Sequence, residues 1–212
     1  MKQSEVLFGI KFGCFTGLIS AIVYPLMIST HGYNWWNFVL EISFGPLFII
    51  SNIGLYLFIK HHGNSFFNLI AIIFNVLAGA GILITNTVQK AIFTIGKDYH
   101  AAHTETSKEI IQKTYQIGNL VQLGLDFYFD VLVSFATMFL AFAIYKQHYY
   151  PKWLTPLGII IGVGGLAINT IEFPVPPANL GFFDPGPFYA AFSFFLLAGI
   201  VYRMFIKNPI QK

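Results

Sequence analysis

Asp126 and Asp130 stand inside an apolar stretch, residues 120–145, that is long enough to cross a bilayer and contains no lysine or arginine. A carboxylate near the centre of a membrane costs about 2.5–3.5 kcal/mol on insertion scales. At i,i+4 spacing the two share one face of a helix. Like charges resist joint ionisation, so a shared proton, a bound cation or a cationic substrate group would each stabilise the pair. General acid–base chemistry, a proton relay and metal binding all use such a pair, and intramembrane acids are functional by default.

Polar and small residues continue the pattern on four helices. Helix four reads Asn119, Gln122, Asp126, Asp130, Ser134 and Thr137, each step three or four residues. Helix three gives Asn68, Asn75, Gly79, Asn86 and Gln89 on a compatible period, and helix two adds Glu41, Gly45 and Asn52. Helix five contributes Gly158, Gly162, Gly165, Asn169 and Glu172. Lipid offers these groups no partner, so the stripes are expected to face one another around an interior polar cavity among helices two to five. The candidate ligand-binding or proton-coupling residues are therefore Asp126 and Asp130, supported by Glu41, Glu172, Asn75, Asn169 and Gln122. The plainer reading is that amides and small residues serve as packing glue, worth about 0.6 kcal/mol per hydrogen bond. Glu41 and Glu172, near the interface, also suit a solvated role. In this reading the outer half of the bundle holds four acids and no intramembrane lysine or arginine.

The elements that must position these groups follow from composition. Only 10% of the 212 residues are charged, against about 25% in a soluble domain. Phenylalanine alone supplies 24 residues, more than a soluble chain of this length could bury. The expected fold is all-α: one integral membrane domain over 1–212, a polytopic bundle of six transmembrane helices. Six stretches reach the roughly 20 apolar residues a crossing requires: 7–29, 36–59, 66–89, 118–145, 153–173 and 188–206. The first lacks a small-residue cleavage pattern and is expected to be retained. Residues 90–117 read as a charged outer loop with a helical extension, started by a capping box from Thr106 to Glu109.

Basic residues set the orientation. With both termini cytoplasmic, the inner side collects Lys2, Lys11, Lys60, Lys146, Lys152, Arg203, Lys207 and Lys212. The outer side keeps Lys90, Lys97, Lys108 and Lys113. Trp35 and Trp36 then fall at the outer boundary and Trp153 at the inner one, as an aromatic belt places them. Asp126 and Asp130 lie about 12 and 18 Å down helix four at 1.5 Å per residue.

Other motifs carry less. His100, His103 and Glu105 form H-x-x-H-x-E, a pattern more common in solvated loops than at metals, and no zinc signature is present. No metal is therefore assigned, and the cofactor is left open. A single cysteine, Cys14, rules out an intrachain disulfide. Scattered lysines offer no cluster for nucleic acid. Gly9, Gly13 and Gly17, and again Gly158 and Gly162, make G-x-x-x-G steps that allow close helix approach, within the bundle or in a homo-oligomer. The Pro-rich run 173–187 cannot be helical and is expected to be a stiff outer loop beside Glu172, a connector or a lid.

The segment Phe142-Ala143-Ile144-Tyr145-Lys146, then Tyr150-Pro151-Lys152-Trp153-Leu154-Thr155-Pro156-Leu157-Gly158 and a Gly-rich apolar helix, resembles a large group of uncharacterised bacterial multi-pass membrane proteins, a domain of unknown function. The resemblance covers about 60 residues of the second half and implies about six helices in a bacterial cell membrane. It implies no activity. Three functions stay open: an acidic cavity open to the outer leaflet that binds or transports a small cationic or lipidic ligand, an intramembrane enzyme using the same carboxylates, or a structural subunit.

Overall fold

The computed structural model describes residues 2–29, 34–63, 65–101, 103–174 and 184–207, without the side chains of residues 100, 101, 172 and 205–207. Six helices follow one another: α1 (Gln3–Ser29), α2 (Trp35–His62), α3 (Phe66–Ala101), α4 (Glu105–Ile144), α5 (Leu154–Glu172) and α6 (Gly186–Val201). Each belongs to a span long and apolar enough to cross a membrane. Among the described residues there is no strand. The all-α multi-pass expectation is met. The sixth helix is shorter than expected and passes into a π-helical turn, Tyr202–Lys207.

Neighbours in sequence are neighbours in space: α1 packs on α2, α2 on α3, α3 on α4 and α4 on α5, while α6 touches α1, α4, α5 and α2. The core lies toward the end that carries the two termini, where Phe58, Ile144, Phe192, Leu196 and Ile200 are almost fully buried. Outward faces are aromatic and aliphatic, as a lipid solvent allows. Trp35 and Trp36 stack on each other at 3.8 Å and are both about three-fifths exposed.

The loop expected over 90–117 is a helical hairpin. α3 runs on to Ala101 and α4 begins at Glu105. No proline interrupts this stretch, and local pairs support both arms. Lys97 lies over the Phe93 ring at 5.5 Å, and Glu109 pairs with Lys113 at 2.7 Å. Such i,i+4 contacts favour helix by a few tenths of a kcal/mol each, about 0.2–0.5. The expected capping box at Thr106 does not form. Thr104 is the N-cap, its hydroxyl accepting the backbone N–H of Ser107 at 3.2 Å.

The glycine steps are used inside the bundle. A Cβ on Gly13 would stand 2.5 Å from the Cα of Gly54, so α1 and α2 cross backbone against backbone. Gly162 approaches α4 in the same manner, 2.7 Å from the Ser134 carbonyl oxygen by the same measure. Backbone cannot rotate away as a side chain can. Gly13→Leu should therefore lower stability by about 3 kcal/mol, the upper end of the overpacking range. Thermal unfolding in neutral detergent measures it, and an unchanged midpoint would show that the two helices separate freely there.

Candidate acidic site at the mouth of an apolar cleft

Several residues of the polar stripes turn out to hold helices together. Asn68 donates its Nδ2–H to the Tyr56 carbonyl at 3.0 Å, and Asn86 donates to the Glu41 carbonyl at 2.9 Å, so both tie α3 to α2. Asn169 donates to Gly165 on its own helix at 3.0 Å. Asn75 is buried in α3. A polar cavity enclosed by helices two to five, as the sequence suggested, is not what these contacts build.

Glu41 also departs from expectation. Lys90, placed by the longer α3 inside the bundle, meets its carboxylate at 2.8 Å, with both side chains about nine-tenths buried. The half of the bundle that carries the α3–α4 hairpin therefore does contain a basic residue, and it pairs with Glu41. The second oxygen of that carboxylate, Oε2, is buried without a hydrogen-bond partner.

Asp126 and Asp130 have a different environment. The carboxylate charges that act on Asp130 are those of Asp126 and Asp184, all of one sign. Asp184 acts on Asp126 as well. Along α4 the stripe passes from half-buried Asn119, Gln122, Asp126 and Asp130 to fully buried Ser134 and Thr137. The acidic face is thus open toward the α3–α4 hairpin and closed toward the termini. The chain reaches Asp184 by way of residues 175–183, which lie outside the described residues, as do the side chains of Glu172 and His100.

Two tyrosines complete the group. Tyr24 of α1 and Tyr189 of α6 both lie within electrostatic reach of Asp130 and Asp184. The Tyr189 hydroxyl shares a buried hydrogen bond with Ser134 at 2.6 Å. Only a residue without a Cβ fits opposite it: a methyl group on Gly165 would overlap the Tyr189 hydroxyl. Gly165 of the helix-five stripe therefore serves to seat that ring. Gly186 does the same for the Tyr24 hydroxyl, and its N–H donates to Asp184 Oδ1 at 2.8 Å, fixing the carboxylate at the start of α6.

These tyrosines border a narrow cleft with about 70 Å³ of interior space, smaller than cavities that enclose a whole drug-sized ligand, about 300–1,000 Å³. Its walls come from α1, α2, α4 and α6, with Phe44, Phe48, Phe129 and Val133 among them. Phe129 and Val133 are the α4 residues flanking Asp130, so the acid stands beside the apolar wall. Pro25 has no N–H for the carbonyl of Ala21, a residue of the same wall, which leaves a backbone acceptor free of its helical bond. Helices one and six thus supply walls that the sequence pattern did not assign to them. Among the described residues no three of His, Cys, Asp and Glu come together as a metal site.

Of the seven sequence-derived candidates, the structure brings together Asp126 and Asp130, with Gln122 on the same half-buried face. Glu41 is drawn off by Lys90, while Asn169 bonds within its own helix. Asp184, Tyr24 and Tyr189 were missed. Ser134 did not betray them, since a helix hydroxyl can equally bond the carbonyl one turn back, as Thr85 and Thr170 do.

No curated protein and no solved structure matches the chain. A family model described as Domain of unknown function (DUF4386) matches residues 16–204, extending the likeness of the second half over nearly the whole chain. It reaches from α1 through α6 and includes every residue of the acidic group and its cleft. This multi-pass helical chain is a member of that family.

Proposed function

We propose that the protein binds an amphiphile with an apolar body and a cationic head, the body in the cleft and the head at Asp126, Asp130 and Asp184. One observation supports this above the others: the mostly apolar cleft is bordered by Tyr24 and Tyr189, both within electrostatic reach of Asp130 and Asp184, and Asp126 adds a third charge of the same sign. The apolar walls suit part of an alkyl chain, and burying it contributes about 0.8 kcal/mol per methylene. A cationic head then supplies the charge that the acids lack, and the tyrosine hydroxyls offer it further acceptors. The open side of the acidic face lies toward the α3–α4 hairpin, which basic-residue bias reads as the outer end.

The reading is tested by charge preference at fixed chain length. Decyltrimethylammonium should bind the purified protein in neutral maltoside at least about ten-fold more tightly than decyl sulfate, a difference of about 1.4 kcal/mol. Binding of labelled ligand to immobilised protein measures this. Equal affinity for the two would remove the carboxylates from the recognition.

A further inference from the structure

At the opposite end of the bundle a second pocket carries the reverse charge. It offers about 190 Å³ of space between the start of α1, the end of α2 and the π-helical turn after α6. Val6, Leu7, Ile10 and Phe58 form an apolar floor, and His61, His62 and Arg203 form the rim. Gly17 of the first cleft and Ile10 of this pocket are seven residues apart on α1, a rise of about 10 Å.

The rim is built to hold a cation in place. The Arg203 guanidinium lies 3.5 Å from the centroid of the Tyr149 ring. Tyr149 in turn packs edge-on against His62 at 4.5 Å, and His62 against Phe58 at 4.4 Å. One guanidinium face is thereby covered while its edge N–H groups remain for an acceptor, the geometry suited to phosphate. His62 Nδ1 donates to the Phe58 carbonyl at 2.9 Å, which orients Nε2 away from the helix. Among the described residues no carboxylate forms an ion pair with Arg203. Of the nine acids in the chain only Glu5 belongs to this end, and it is exposed and bonded to the backbone N–H of Lys2 at 3.0 Å. Arginine placed at a membrane boundary beside an apolar floor, with no acid to answer it, calls for an anion that brings its own hydrocarbon.

We infer that this pocket binds an anionic glycerophospholipid, its phosphate on Arg203 beside His61, and an acyl chain along Val6, Leu7 and Ile10. Basic-residue bias reads this end as cytoplasmic, the leaflet whose anionic lipids attract such sites.

Native mass spectrometry of the whole protein in neutral maltoside provides the test, with dioleoylphosphatidylglycerol and dioleoylphosphatidylcholine as probes. The phosphatidylglycerol should bind about ten-fold more tightly, as expected when two basic side chains face one net charge. Arg203→Gln should bring the two lipids to within about two-fold of each other. Should that variant fail to fold through lost packing on Tyr149, His61→Gln, at an exposed position, should still narrow the preference. Equal binding of the two lipids by the unaltered protein would overturn the proposal, as would an unchanged preference in both variants. Displacement of the lipid by inorganic phosphate at equal concentration would also overturn it, by showing a free-anion site.

Discussion

Lys90→Met should destabilise the bundle by about 3–5 kcal/mol, the penalty for breaking a buried ion pair from one side. Lys90 and Glu41 meet at 2.8 Å with side chains only 12% and 10% exposed. Glu41 Oε2 already lacks a hydrogen-bond partner, so removal of the ammonium would leave an isolated carboxylate in a dry setting. Desolvation then dominates, since the carboxylate keeps its burial and loses its counter-charge. Glu41→Gln combined with Lys90→Met should recover most of the loss, because two neutral side chains carry no such penalty. The difference between single and double variants in thermal or denaturant unfolding gives the coupling directly. Equal stability of all three proteins would mean that the pair is hydrated and contributes nothing.

The spans were legible because the membrane imposes one strong rule, about 20 apolar residues per crossing. The acid pair was legible for the same reason, as a local violation of that rule. Lys90 was misplaced because charge density beyond residue 90 resembles a loop. A helix that leaves the apolar zone keeps its hydrogen bonds and merely changes solvent, so composition does not mark where it ends. Asp184 was hidden by sequence distance: it returns beside Asp130 only after the chain has formed α5 and passed through a proline-rich segment. Tyr24 and Tyr189 gave no local signal among 11 tyrosines and 24 phenylalanines, since an aromatic ring suits lipid and site alike. The glycines of helix five were legible as close-packing residues, yet that Gly165 accommodates one hydroxyl depends on which helix lies opposite. Pairing of α4 with α6 was the missing information. Once it is given, Ser134, Tyr189 and Gly165 explain one another.

Asp126→Asn with Asp130→Asn should abolish cationic-amphiphile binding while leaving the bundle folded. The amide keeps the shape of each side chain and removes the charge that a ligand head would meet. Stability should be unchanged or slightly raised, because carboxylates that repel one another in a low-dielectric site are replaced by neutral groups. Lost function with retained stability is the usual relation at a binding site. A packing role predicts the opposite pairing, a stability change with no effect on ligand. The most direct measurement is the affinity of decyltrimethylammonium for the double variant and the unaltered protein, side by side in one neutral detergent. The acidic site requires a loss of at least about 100-fold, or about 2.7 kcal/mol, with the thermal midpoint maintained. Unchanged affinity in a folded double variant would contradict it and leave these aspartates without a part in recognition.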